Sequence, residues 1–476
     1  MSLTHALKWS FFAELASKAI APVVFIVLAR LLTPEDFGVM AAAMMVIAFS
    51  QIFWEAGMGK ALIQRQTDTQ EAANVAFWIN IALGLLIATM LFLVAKPVAA
   101  TFFHDDRVTA VLQVMTLQVL LGAISSVHTA LLQKDMGFKK LFWVRFVTVS
   151  LPGLASIPLA LNGMGYWALV AGALVGQLAQ VIMLWRTSHW RPRWTFDTRV
   201  AKEMGRFGAW VGASGLLAWF YLWADSLIVG MYLGSHDLGL YRTGNMFSIM
   251  IFGMVFGPIA PVLYSYLSKM GGDKIRLKSM IEKVIRSLTI IAIPLAVILV
   301  ALSSQIGEVL FGSKWEGISF VIAVMALMHG FSWVVGMNGE FYRAAGKPSY
   351  ETIVTAGTLV IYLLAYLYSI QQGFEVFVWT RLGLALGALL LHLLVLKKLL
   401  AVSMLPILGY VIVITMITAV PAYLLDYVFN MLHLNVWIRV CLEGFILVSI
   451  FGAVIYFIER NGLIKEVKHR LKGAVR

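Results

Sequence analysis

The chain has 476 residues, 61% hydrophobic and only 13% charged, with a mean hydropathy of +0.86. Soluble domains carry about 25% charged residues, so this balance excludes a water-soluble globule and defines a polytopic membrane protein. The formal charge of +13 would suggest nucleic acid in a soluble protein. In a membrane protein it belongs to cytoplasmic loops and anionic headgroups, and no nucleic-acid partner is expected.

In chain order, fourteen apolar segments are long enough to cross about 30 Å of hydrocarbon as helix. They are 9–32, 38–57, 74–95, 110–132, 142–161, 165–185, 207–232, 243–267, 287–303, 317–341, 351–370, 376–396, 405–425 and 434–458. The N-terminal stretch lacks the apolar core and small-residue cleavage site of a removable signal peptide. If the N-terminus is cytoplasmic, most of the 37 Lys and Arg fall in inner segments. The outer loops then keep only Lys96, Arg107, Arg242 and Lys314. That asymmetry predicts both termini inside. The single cysteine, Cys441, excludes an intrachain disulfide and a Cys-based metal cluster.

Two stretches match at a constant offset: LARLLTPEDFGVM (28–40) and VGMYLGSHDLGLY (229–241). Aligned without gaps they pair Leu32 with Leu233, Asp36 with Asp237 and Gly38 with Gly239. Six spans separate them, so both copies face the same way, as in a parallel duplication. Thr33, Pro34, Glu35 and Asp36 are also good helix-start residues in their own right. The predicted fold is an all-α polytopic membrane protein with about 14 transmembrane helices. It comprises an N-terminal lobe (1–190, helices 1–6), a cytoplasmic inter-lobe linker (191–206), a C-terminal lobe (207–398, helices 7–12), and two additional helices with a basic cytoplasmic tail (399–476). The lobes are parallel-repeat six-helix bundles. GxxxG-type spacings at Gly172/Gly176, Gly208/Gly212 and Gly383/Gly387 permit close helix contact.

Ionisable groups at membrane depth are functional candidates by default. Glu14 and Lys18 stand one turn apart in the first span, an i,i+4 pair able to neutralise itself. Asp225 sits inside the seventh span with no basic residue within a turn, so it is expected to hold a proton or cation, or to bond a neighbouring helix. Asn80, Gln113, Gln118, His128, Gln177, Gln180, His329, Asn338, Glu340 and His392 are further internal polar groups, either helix–helix contacts or cavity lining. Arg30, Arg145, Arg343, Arg381 and Arg439 lie at span ends, where long side chains snorkel to headgroups. Arg439 has Glu443 one turn on. Asp105–Asp106, the adjacent acidic pair of an outer loop, reads as a solvated loop tip. No phosphate-binding Gly-rich loop with Lys-Ser/Thr, no His-Glu-x-x-His and no Gly-x-Ser-x-Gly occurs. No catalytic residue, metal or cofactor is therefore expected, and uphill transport would draw on a gradient or a partner.

LARLLTPEDFGVM together with GMGKALIQRQTDTQEAANVAFWIN (57–80) resembles the opening of Wzx-type polysaccharide flippases. These form the polysaccharide-transport branch of the multidrug/oligosaccharidyl-lipid/polysaccharide exporter superfamily. The likeness continues in ALLQKDMGFKK (130–140), GMGYWALV (163–170), RFGAW (206–210), DSLIVGMYLGSHDLGLY (225–241) and VLFGSKW (309–315). The resemblance implies a two-lobed bundle around a central cavity. It also implies alternating access and movement of an undecaprenyl-pyrophosphate-linked oligosaccharide across the bacterial inner membrane, with a polysaccharide polymerase and a chain-length regulator as partners. An anionic headgroup needs cations, and Lys18, Arg30, Arg145 and Arg381 are the substrate-binding candidates. Asp225 and Glu14 are the ion-coupling candidates. The family often has Asp where this chain has Asp225, and often basic residues where it has Ser226 and Met231; Arg30, the repeat counterpart of Met231, is basic. Two other readings remain open: an ion-coupled exporter of small molecules, and a membrane glycosyltransferase or ligase that would depend on Asp105 or Asp106.

Overall fold

A computed structural model describes residues 20–259, 267, 273–432 and 434–459. Glu14 and Lys18 lie outside the described residues, as does the basic tail. Among the described residues the secondary structure is helical, with no strand. The first unit opens with α1 (Ile20–Leu31), α2 (Pro34–Glu55), α3 (Met58–Gln64) and α4 (Thr69–Val98, prolonged by a π turn to Phe103). It continues with α5 (Asp106–Lys134), α6 (Phe138–Leu161), α7 (Tyr166–Thr187) and α8 (Thr198–Phe256), whose residues from Thr243 on belong to the second unit. Then come α9 (Lys274–Ala301), α10 (Ser303–Ile306), α11 (Ile318–Val334), α12 (Asn338–Ala344), α13 (Ser349–Ser369), α14 (Phe374–Leu400), α15 (Met404–Met431) and α16 (Val436–Glu459).

Twelve helical elements among the described residues are long and apolar enough to cross a bilayer. The difference from fourteen expected spans lies in two places. The described part of the first is the short apolar helix α1. The seventh and eighth, expected as separate helices joined by a polar turn, run together as α8. Its 59 residues are two helices that meet at a kink, each long enough for a crossing of its own. It is divided only at Gly234, whose backbone leaves the helix (φ 83°, ψ −172°). The polar residues after it, Ser235, His236 and Asp237, are helical. One glycine thus does what the sequence assigned to a loop.

The chain packs as two compact units, one ending at Arg242 and the other starting at Thr243. In the first, α5 is central, lying against α2, α3, α4 and α7, while α6 pairs with α7. Lipid tails are as apolar as leucine, so close packing holds such helices together. Gly172 and Gly176 show it: a Cβ on either would meet Ser156 or Pro152 of α6 at 1.9 and 2.8 Å. Gly383 and Gly387 have the same spacing but face no neighbour within 4 Å. The first limb of α8 joins this unit through Trp219, whose Nε1 donates to the Met45 carbonyl (3.3 Å) and whose ring packs edge-on against Phe49 (4.9 Å).

The polar connection before α8 is pinned to α4. The Trp78 indole donates to the Arg193 carbonyl (2.8 Å) and stacks on Trp194 (4.0 Å). Asn74 accepts from the Arg193 amide (3.0 Å) and donates to Thr195 Oγ1 (2.9 Å). Arg191 turns its guanidinium onto the carbonyls of Trp185 and Ser188 (both 2.7 Å). Asp197 then caps α8, accepting from the amides of Arg199 and Val200; those bonds hold its carboxyl below the usual aspartate range.

In the second unit α9 is central, packed on α11 and α15, with α14 beside α11 and α16 against α9. Arg439 of α16 bonds Glu443 (3.1 Å), as its spacing predicts, and also Asp426 of α15 (2.6 Å).

The two matched turns meet inside the first unit. A Cβ on Gly38 would lie 1.8 Å from the Ser235 carbonyl, and one on Gly239 would lie 1.8 Å from the Pro34 carbonyl. Adding 201 to Gly38 and Pro34 gives Gly239 and Ser235, so the contact is reciprocal. Glu35 and His236, also 201 apart, bond each other (2.6 Å). Here the repeat seen in sequence is a local pseudo-two-fold.

Candidate functional site

Within the first unit, α2, α3, α5 and α7 enclose a cavity of about 310 Å³. Its wall is rich in amides: Gln51 from α2, Gln118 and Gln133 from α5, and Gln177 and Gln180 from α7. Gln177 and Gln180 share a helix face because they are three residues apart. Trp54 forms part of the wall, its ring pressed on Gly122. Glu55 and Lys60 are its charged members. The Gln51 amide donates to Glu55 Oε2 (3.1 Å). Hydroxyls at Ser125, Ser126 and Thr129 also face it but are engaged with backbone carbonyls of their own helix. The amides are therefore the groups with capacity to spare; Gln118 Oε1 is buried without a partner. Each amide offers a donor and an acceptor. Such a wall suits a neutral, hydroxyl-rich ligand or water better than an ion.

The sequence singled out Gln118, Gln177 and Gln180, and the structure brings them together. It adds Gln51 and Glu55, which lie inside the expected span 38–57, and Lys60 and Gln133, which fall just beyond the ends of expected spans. Asn80 is wholly buried behind the cavity and donates to Ser126 Oγ (2.8 Å). His392 lies between Asn338 (2.6 Å) and Tyr342 (2.7 Å), and His329 bonds Asn245 (2.9 Å). These are helix–helix contacts of the second unit.

None of the described cationic candidates lines this cavity. Arg30 and Arg145 are exposed on the first unit. Arg381 lies in the second, donating to the Tyr366 hydroxyl with its guanidinium 5.6 Å from that ring's centroid. Asp225 is 4% exposed and not isolated, as its sequence neighbourhood suggested. Its carboxylate accepts from the Tyr241 hydroxyl (2.7 Å), the Ser226 amide (2.6 Å) and Ser226 Oγ (3.2 Å). Tyr241 is 16 residues on, beyond the Gly234 break, so the bond ties the two limbs of α8 together. Sequence spacing missed it because the partner arrives only after the helix changes direction.

Asp105 is likewise no loose loop tip. It caps α5, pairs with Arg107 (2.8 Å) and accepts from Ser235 Oγ (2.6 Å). Burial raises its pKa, but the bonds from Arg107 and Ser235 outweigh this and lower it overall. A carboxylate committed in this way is a brace for the second turn.

Helices that are apolar all round, two packed units and a polar cavity within one of them define a multi-pass membrane protein. The fold matches that of the lipid II flippase MurJ in its inward closed conformation, with a TM-score of 0.72 over 94% of this chain and 98% of that one, at 12% identity. Residues 27–320 match the family described as polysaccharide biosynthesis protein, and the chain belongs to it. It is 28% identical over 329 residues to the succinoglycan biosynthesis transport protein ExoT of Rhizobium meliloti (strain 1021), covering 69% of this chain and 66% of that relative. It is 23% identical over 348 residues to the lipopolysaccharide biosynthesis protein WzxC of Escherichia coli (strain K12), covering 72% and 67%. The matched stretch thus takes in about two thirds of either relative.

Proposed function

We propose that this protein is a flippase, moving an undecaprenyl-pyrophosphate-linked oligosaccharide repeat unit across the bacterial inner membrane by alternating access. The observation that carries the reading is the amide-lined cavity, a hydroxyl-binding environment inside helices that otherwise face lipid. Polar side chains within membrane-spanning helices are costly unless they are satisfied, and a glycan would satisfy these. Membership of the polysaccharide biosynthesis family and the MurJ-like fold support it. In this proposal the chain has fourteen spans with both termini cytoplasmic, two six-helix lobes (1–190 and 207–398) joined by the 191–206 linker, and two further helices in 399–476. Lys18, Arg30, Arg145 and Arg381 serve the anionic headgroup at different stages of the cycle, and Asp225 and Glu14 serve ion coupling. No chemistry is performed on the substrate. A polymerase and a chain-length regulator receive the product.

Deleting the gene should leave lipid-linked repeat units on the cytoplasmic side and reduce surface polysaccharide. Unchanged surface polysaccharide, in a strain without a second flippase, would overturn the proposal.

A further inference from the structure

The connection from Ser188 to Asp197 and the start of α8 form one exposed surface of the first unit. Bonds from Asn74 and Trp78 hold the connection level with residues 74–78, where the apolar part of α4 begins. That is the depth at which a spanning helix passes through the headgroups. The aromatic side chains of the connection are nonetheless uncovered. Trp194 is 88% exposed although it stacks on Trp78, and Phe196, two residues on, is exposed as well. On α8, Arg199, Lys202 and Arg206 are exposed on one face, opposite the buried Val200, Met204 and Gly208. Trp210, 76% exposed, and Leu217 follow on the same face. Along α8 this face thus passes from cationic to indole to aliphatic.

The carboxylates nearby are committed elsewhere. Asp197 caps α8, and Glu203 pairs with Arg65 (2.9 Å). Arg193, Lys202 and Arg206 form no ion pair among the described residues. Cations left unneutralised beside exposed indoles, at headgroup depth, call for an anion that carries an apolar body. A soluble acidic protein would supply the charge but leave the interfacial aromatics in water. We propose that this surface docks an anionic glycerophospholipid of the inner leaflet. Its phosphate lies among Arg193, Lys202 and Arg206, and its ester and upper acyl region lies against Trp194, Phe196 and Trp210, amphipathic or apolar rings suited to that depth. The connection is then fixed on two sides, by α4 and by headgroups. Only the choice of leaflet rests on the orientation proposed above; the docking itself is independent of what the protein transports.

The test uses the purified full-length protein in phosphatidylcholine nanodiscs. Cys441→Ser removes the one cysteine, and Phe196→Cys then carries a nitrobenzoxadiazole fluorophore. Two quenchers are compared at equal mole fraction: phosphatidylglycerol and phosphatidylcholine, each with a doxyl group near the ester carbonyls. Both should quench, because the label sits in the bilayer interface. The phosphatidylglycerol probe should be preferred about fivefold, the factor for one charge at a membrane surface, and the preference should shrink as salt is raised. Combining Arg193→Gln, Lys202→Gln and Arg206→Gln should abolish the preference while quenching by phosphatidylcholine persists. Lys202→Arg alone should leave the preference intact. Equal quenching by the two probes before any cation is removed, or an undiminished preference in the triple variant, would overturn the proposal. Quenching by neither would also overturn it, placing the surface in water and assigning it to a soluble acidic partner. A failure of the flippase reading would alter none of these outcomes.

Discussion

The two matched turns redirect the chain by different chemistry. At the first, the helix stops, Leu32 and Thr33 are non-helical, and α2 starts on a full capping box. Thr33 Oγ1 accepts from the Asp36 amide (3.3 Å), and Asp36 Oδ2 accepts from the Thr33 amide (3.0 Å). Asp36 also accepts from the Tyr166 amide at the start of α7 (2.9 Å). At the second turn there is no stop and no cap; Gly234 alone breaks α8, and the Asp225–Tyr241 bond spans the break. The matched stretches therefore share the geometry of contact, at Gly38 and Gly239, while their polar groups have different tasks. Close packing tolerates no substitution, whereas a change of direction can be achieved by a cap or by a glycine.

The comparison can be broken most forcefully at the shared contact. Gly38→Ala and Gly239→Ala each place a methyl where only 1.8 Å separates it from a backbone oxygen. Each should cost on the order of 4 kcal/mol or more, read as lost folded yield or a collapsed melting temperature. Similar severity in both would support the reciprocity; tolerance of one alone would show the turns are not equivalent.

Tyr241→Phe removes a hydrogen bond to a buried carboxylate and should cost about 1.5–3 kcal/mol in thermal or denaturant unfolding. Asp225→Asn should impair transport while protein levels stay intact; full activity would remove Asp225 from the coupling role and leave it a brace.

Gly234→Ala forces a side chain into a conformation nearly restricted to glycine and should cost about 1–3 kcal/mol, against about 1 kcal/mol for Thr33→Ala at the capped turn. If the two were equal in melting temperature, cap and glycine would be interchangeable devices. The smallest effect is expected at Glu35→Gln, where the His236 pair is exposed and worth under about 1 kcal/mol.

Acid should act on the second turn through Asp105. Its folded pKa is depressed, so its contribution is present above the ordinary aspartate range and lost as pH falls through the lower folded value. Asp105→Asn should flatten the acid limb of a stability–pH profile measured by thermal unfolding.

Composition and segment length made the membrane class legible, and a gapless offset made the repeat legible, because both are properties of linear sequence. Gln118, Gln177 and Gln180 were legible as costly polar groups at depth. Gln133 and Lys60 were not, since they fall just beyond the ends of expected spans, where polar residues are cheap and only packing reveals their shared cavity. Asp225 was legible as an ionisable group inside a span, but its partner was not, because Tyr241 returns to it across a break that one glycine makes. Arg30 and Arg145 were credible phosphate partners by charge, yet both are exposed and neither lines the amide-walled cavity.

The strap from Ser188 to Asp197 has a mechanical consequence. A basic stretch between two helices would ordinarily be slack, able to take up any displacement between its ends. Here tryptophan stacking and the two-sided grip of Asn74 clamp it to α4. α8 therefore leaves from a fixed anchor, and its first turn is held to α4 through that strap.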